Sequence, residues 1–286
     1  MLRGAALLAA AVTIAAAADV GSLRVDGLPL PALGVTASPY ISAALPAPGD
    51  AATTLLVTVR REGGGPIDAA GAEVWSGNTS LAGTGGPTVK CGVALLPAAT
   101  FVVSAVLQDA TGTQRTAGEG SFDTGLFAEA DWQDAPWVGA GHGEFTATFT
   151  LPAADAAARR GRAYVSAPGG HLLYLNGELI GSDTIGVAPW LDWTRQMHSR
   201  THDVSSALRS GANHVLLKTG CGAWCPSAAP TWAHSGRMIH TPAGAQPLAR
   251  LLLTAGSRCD PALYCRCFPM SNTRVCQDRL GSSIGN

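Results

Sequence analysis

The sequence predicts an all-β protein made of two consecutive β-sandwiches. Three observations carry this. Short apolar-alternating runs recur along the chain, each closed by Gly, Pro, Asn or Asp. No segment of useful length carries the 3.6-residue apolar period of a helix. The strand rhythm breaks once, between Phe127 and Gly141, in a stretch that holds two Trp residues and few strand signals.

The first residues stand apart. Arg3 precedes an apolar run, and Ala16-Ala17-Ala18 fits a small-residue cleavage site before Asp19. A membrane-spanning helix needs about 20 apolar residues, so the run is short for one and fits a signal peptide over residues 1–18. A secreted, extracellular mature chain is the expectation, with disulfides permitted. No later segment is long and apolar enough to span a membrane.

Residues 19–126 read as the first sandwich. In "TTLLVTVRRE", Leu55, Val57 and Val59 share one face; in "TFVVSAVLQDATG", Phe101, Val103, Ala105 and Leu107 do the same. Strands at this spacing fit a sandwich of about 100 residues. Residues 127–141 read as a connection packed between domains, because long structureless loops inside one domain are uncommon. Strands resume over residues 142–256: "EFTATFTLP", "RAYVSA", "HLLYLNG", "GANHVLLKTG" and "PLARLLLTAG". Asn176-Gly177 between two apolar runs is a strong hairpin signal, since a type I′ turn needs positive φ at both central residues. Alternation then puts Leu173 and Leu175 on one face, Leu172 and Tyr174 on the other. Asp203 is placed to cap a helical turn over Asp203–Arg209. Residues 257–286 carry four of the seven Cys residues with little apolar periodicity and read as a Cys-rich tail outside the sandwiches.

Composition excludes some functions. The chain has 286 residues and a formal charge of −1, with 14% charged residues. No basic run offers the clustered Lys and Arg that nucleic acid requires, so nucleic acid is not an expected partner.

An ordered series of motifs then points to a family. It runs from Arg162-Ala163-Tyr164-Val165-Ser166-Ala167 through Tyr174–Gly177 and Trp190-Leu191-Asp192-Trp193. Thr201–Ser205, Gly211-Ala212-Asn213 and Gly220-Cys221-Gly222-Ala223-Trp224 complete it. This series resembles the N-terminal, non-catalytic region of bacterial-type α-L-rhamnosidases, glycosidases of the six-hairpin class. Upstream, "VWSGN", "LLPAATFVVSAVLQDATG" and "FDTGLFAEADWQDAPWVG" resemble the fibronectin-like domain that precedes it there. The resemblance covers about residues 22–255. It implies a fibronectin type III-like sandwich followed by a jelly-roll domain of the galactose-binding type. Departures are visible. His202 stands where the family has Tyr, and Gln196 where it has Arg. The expected closing strands do not follow Leu253. The helical barrel that supplies the family's catalytic carboxylates lies downstream of such a region, and this chain ends before it.

Glycoside hydrolysis needs two carboxylates flanking the scissile bond. Asp131, Asp134, Glu144, Glu178, Asp183, Asp192 and Asp203 form no convergent pair, so no catalytic residue is assigned. Sugar binding fits better, because sugars meet an aromatic platform and a few planar polar groups. "APWLDWTRQ" offers Trp190, Asp192, Trp193 and Arg195, and Asn176 sits on the turn that the resemblance places beside them. The Trp residues also fit core positions, and Asn176 has a sufficient reason in the turn itself. Carbohydrate, in particular a rhamnose-containing polysaccharide, is the expected partner. No cofactor is assigned. Calcium is left open: it takes six to eight oxygens, and no Asp-rich loop is present.

Secretion favours a disulfide between Cys221 and Cys225, with the tail cysteines paired among themselves and Cys91 as a buried free thiol. A zinc reading is weaker, because Cys221-x₃-Cys225 finds no clean second half. Asn78-Thr79-Ser80 is an N-glycosylation sequon. The functional expectation is the accessory, carbohydrate-binding part of an α-L-rhamnosidase-like glycoside hydrolase, with hydrolysis carried elsewhere. A stand-alone secreted binding or adhesion module, and a structural spacer, are the alternatives.

Overall fold

The computed structural model describes residues 23–44, 52–62, 73–81, 87–139, 143–153, 160–168, 170–182, 198–220, 248–255, 265–269 and 274–278. Among them no helix is long and apolar enough to cross a membrane. The first nine strands are β1 (Arg24–Val25), β2 (Leu28–Pro29), β3 (Ala32–Val35), β4 (Tyr40–Ser42), β5 (Ala52–Arg61), β6 (Glu73–Ser80), β7 (Thr88–Lys90), β8 (Thr100–Asp109) and β9 (Gln114–Thr124). They form two sheets, ordered β2-β1-β4-β7 and β3-β9-β8-β5-β6. The alternation read from the sequence sets the core between them. Leu55, Val57 and Val59 of β5 and Phe101, Val103, Ala105 and Leu107 of β8 are buried with Leu23, Val25 and Ile41 of the facing sheet. Phe101 stacks on Phe122 at 5.5 Å between ring centres. Cys91 is a buried free cysteine in this core, and burial pushes its thiol above the ordinary range.

A one-turn 3₁₀ helix, η1 (Glu129–Trp132), follows, and then β10 (Val138–Gly139), β11 (Glu144–Leu151), β12 (Gly161–Ser166), β13 (His171–Leu175), β14 (Glu178–Ser182), β15 (Arg200–Asp203), β16 (Gly211–Thr219) and β17 (Leu248–Ala255). β18 (Cys265–Pro269) and β19 (Arg274–Asp278) complete the order. One sheet runs β11-β16-β13-β14 and its partner β15-β12-β17-β19-β18, with β10 on β17. The core between them collects Phe149, Leu151, Ala163, Val165, Leu173, Leu175, Val215, Leu217, Leu251 and Leu253. The all-β reading therefore holds, with paired sheets around separate cores.

The tail differs from its expectation. Residues 265–269 and 274–278 form β18 and β19, and β19 pairs parallel with β17 from Leu252 to Ala255, so these strands are not outside the sandwich. The physical reason is the second edge of β17. β10 covers only Leu248 and Ala249, and a bare strand edge presents unpaired N–H and C=O groups that a further strand satisfies.

β12 and β17 are buried on both faces, which explains the unbroken run Leu251-Leu252-Leu253. Ala163, Val165, Leu251 and Leu253 face their own core. Tyr164 and Leu252, cross-strand partners, face the other way. There they pack with Trp132 and Ala135 of the connection and with Ala98 and Leu126. A charged cluster lies on the same seam. Asp123 of β9, 4% exposed, accepts from Arg162 Nε at 2.5 Å and Arg160 Nη2 at 3.1 Å, and its Oδ1 also accepts from Thr100 Oγ1. Arg162 continues to Asp203 at 2.8 Å, and Arg160 to Glu62 at 3.0 Å.

Removing one partner of a buried ion cluster leaves the other charges uncompensated. Asp123→Ala is expected to destabilise the protein by about 2–4 kcal/mol, below the fully buried limit because Arg160 is partly solvated. Glu62→Ala, at the exposed end, is expected to cost less than about 1 kcal/mol. Urea unfolding of the two variants checks the ranking, and equal costs would count against it.

Candidate functional site

The Asn176-Gly177 turn joins β13 to β14 with φ of 54° and 85°, the left-handed pair that a type I′ turn needs. Leu173 and Leu175 are buried, while Leu172 is exposed, as the alternation predicted. The Asn176 side chain does more than permit the turn. Its Nδ2 donates to Ala207 O and to Asn213 Oδ1, each at 2.8 Å. Its Oδ1 accepts from His214 N at 2.9 Å. Asn213 is fully buried, and its amide is saturated by Arg209 N, Arg209 O and Gly211 O besides Asn176. Two amides thus tie the hairpin to the 204–213 turn.

The Asn176 amide therefore has a structural use of its own. Both amide hydrogens are committed inside the fold, leaving no donor for a hydroxyl. Leu175 pairs with Glu178 beside the turn, and Leu172 pairs with Ser182 at the far end of the hairpin. Segment 183–197 leaves from that far end, about 13 Å from the turn at about 3.3 Å per residue. The course of residues 183–197, which carry the aromatic candidates, lies outside the described residues.

Trp190, Asp192, Trp193 and Arg195 lie in that segment, outside the described residues, as do Cys221 and Cys225. What is described is the frame that holds its ends. β14 delivers it at Ser182 and β15 receives it through His198, whose carbonyl accepts from Ser166 Oγ at 2.7 Å. At this end His171 of β13 and His202 of β15 meet edge-on, with Nε2 atoms 2.8 Å apart. They bridge the two sheets of the sandwich. At Gly181 a side chain would drive a Cβ to 2.2 Å from the His202 ring, so the hairpin admits this contact only with glycine there. The sequence reading saw His202 only as a departure from the family pattern. The pair joins residues 31 apart in the chain, so only the register of β13 and β15 brings them together.

Among the described residues the acidic candidates are dispersed, and Asp183 and Asp192 lie outside them. Asp131 accepts from the backbone N–H groups of Phe127 and Ala128. Glu144 pairs with Lys218 at 2.8 Å, and Glu178 is exposed beside the turn. Asp203 accepts from Ser205 N and from Arg162, matching its expected capping role. Among the described residues no group of three or more His, Cys, Asp or Glu could hold a metal ion. Asn78 is exposed on β6, the edge strand of its sheet.

Burial works against ionisation of Asp203, but the Ser205 hydrogen bonds and the Arg162 charge outweigh it and hold the carboxyl below its ordinary range. A depressed carboxyl stabilises the fold above its unfolded pKa of about 3.9 and loses that contribution as pH falls through the folded value. Asp203→Asn is expected to flatten the acid limb of stability below about pH 4, read by denaturant midpoints at several pH values. An unchanged slope would contradict the assignment. Asn176→Ala is expected to cost about 2–3 kcal/mol, from one buried acceptor left unpaired and a strained φ without Asn. Its unfolding midpoint checks this.

Residues 156–254 match the family model described as the Alpha-L-rhamnosidase N-terminal domain. Two solved structures share the fold. The alpha-L-rhamnosidase from Dictyoglumus thermophilum aligns with a TM-score of 0.59 and 18% identity, covering 82% of this chain and 27% of that one. The native alfa-L-rhamnosidase from Aspergillus terreus aligns at 0.57 and 17%, covering 81% and 26%. This chain thus spans about a quarter of the length of either structure. No curated protein matches it. The family match and the shared fold relate the chain to the N-terminal region of α-L-rhamnosidases.

Proposed function

We propose that this chain is the accessory, carbohydrate-binding N-terminal portion of a secreted α-L-rhamnosidase-like protein, acting on rhamnose-containing glycans together with a catalytic unit supplied elsewhere. The single observation behind the reading is the match of residues 156–254, which takes in the second sandwich from β12 to β17. The described acidic side chains support the division of labour. Asp131 accepts from backbone N–H groups, Glu144 pairs with Lys218, and Asp203 pairs with Arg162, so each of these carboxylates has a structural partner.

The sugar platform in this reading is Trp190 or Trp193, with Asp192 and Arg195 as polar partners. A stacked ring contributes about 1–2 kcal/mol at roughly 25 cal/mol per Å² of apolar area. A few hydrogen bonds of about 1 kcal/mol each bring the affinity to around the millimolar level. A spacer role is the second reading. It is favoured by Asn176 and Asn213, whose amides are used in holding the hairpin rather than presented to solvent.

The test uses the purified chain from residue 19. NMR titration with a rhamnose-containing oligosaccharide is expected to show saturable shifts, weakened in Trp190→Ala or Trp193→Ala. An aryl α-L-rhamnoside is expected to show no turnover. Both folded variants binding like the parent would remove the platform, and no saturable shift would leave the spacer. Turnover abolished by one Asp or Glu substitution would overturn the accessory role.

A further inference from the structure

The connection between the sandwiches holds a Trp that the packing of the seam does not account for. Trp132 is buried against Tyr164 and Leu252, as a joint requires. Trp137, five residues on, is 38% exposed. Its position is nonetheless fixed. Pro136 precedes it and restricts φ, and Val138 directly after it pairs with Ala249. The turn before it is closed by Gln133 N to Ala130 O and Ala135 N to Trp132 O.

Beneath the ring lies a buried cation. Arg250, 4% exposed, donates from Nε to Ala135 O and from Nη1 to Glu129 Oε1, each at 2.6 Å. Its Cζ sits 4.8 Å from the Trp132 ring centre and 5.8 Å from that of Trp137. One guanidinium therefore contacts both an exposed indole and an exposed carboxylate. The Glu129 side chain is 80% exposed, so the carboxylate is held at one oxygen and open to solvent otherwise.

We infer that Trp137 and Glu129 form a second, shallow sugar-binding site at the seam, taking a single ring of a neutral glycan. The indole receives the apolar C–H face of the ring, and Glu129 accepts hydrogen bonds from its hydroxyls. Arg250 is a positioning residue: it fixes both groups before the sugar arrives, which lowers the ordering cost of binding. A negatively charged glycan is disfavoured, because Glu129 would face it. This inference rests on the carbohydrate-binding reading above but uses none of the residues of segment 183–197.

Fluorine NMR of the fluorotryptophan-labelled full chain separates the two. Each Trp signal is assigned by a Trp→Phe variant, and the probes are methyl α-L-rhamnoside and a neutral rhamnose-containing oligosaccharide. The Trp137 signal is expected to shift saturably at around millimolar sugar, and Glu129→Ala to weaken that response roughly threefold. If Trp190 or Trp193 responds and Trp137 does not, this site is overturned and the general reading stands. If no Trp responds, both fall. If Trp137 responds equally in Glu129→Ala, the carboxylate has no part in binding and the site as drawn is wrong. The wild-type titration needs no variant of Trp137 to fold, so a folding defect in Trp137→Phe leaves the result readable from the remaining assignments.

Discussion

A buried carboxylate holds the junction between the two sandwiches. Asp123 is at the end of β9, 4% exposed, and both of its oxygens are taken by groups that include two arginines from the other sandwich. A charge in that position is costly unless it is paired and hydrogen-bonded, so the second sandwich must bring Arg160 and Arg162 to it in one geometry. Arg162 then reaches Asp203, which caps the turn that also receives the Asn176 and Asn213 amides. The relation between the sandwiches and the seating of the hairpin thus belong to one polar chain. Apolar packing of Tyr164, Leu252 and Trp132 beside it supplies area without direction; the ion cluster supplies the register.

That arrangement explains which parts of the fold were legible in the sequence. β5 and β8 each bury one face, so alternation named their core residues correctly. The Asn176-Gly177 turn was legible because its φ requirement is local. β17 was recognised as a strand, but its two-sided burial was not, since a short apolar run carries no period that separates one buried face from two. The tail was misjudged for a related reason. A strand pairing parallel to a distant edge leaves no local mark, and the unpaired edge of β17 that it covers exists only in the folded sheet.

The site was less legible than the fold. Asn176 drew a functional reading because an exposed amide and a structural amide look the same in a sequence. The structural use shows only in the hydrogen bond from His214 N, 38 residues away in the chain. Asn213 and the His171–His202 contact depend on pairings across the sheet or across the sandwich, which no short window contains. Arg250 was invisible for the opposite reason. It sits in the apolar run "PLARLLLTAG", where a lone Arg reads as a solvated position, yet it is buried against two Trp rings.

These assignments separate the family signature from recognition. The motif residues that carry the resemblance and lie among the described residues hold architecture. Arg162 binds the seam, Tyr164 packs it, Asn176 and Asn213 fasten the hairpin, and Asp203 closes a turn. A match built on such residues reports a shared scaffold, and a scaffold is compatible with many ligands or none. Recognition must then come from groups that the scaffold positions without needing them for stability. The outer side of the seam meets that condition, where Arg250 anchors the joint inward through Ala135 O and Trp132 while leaving Trp137 and Glu129 facing solvent. The same rigid joint that fixes the two sandwiches therefore also fixes whatever the seam displays.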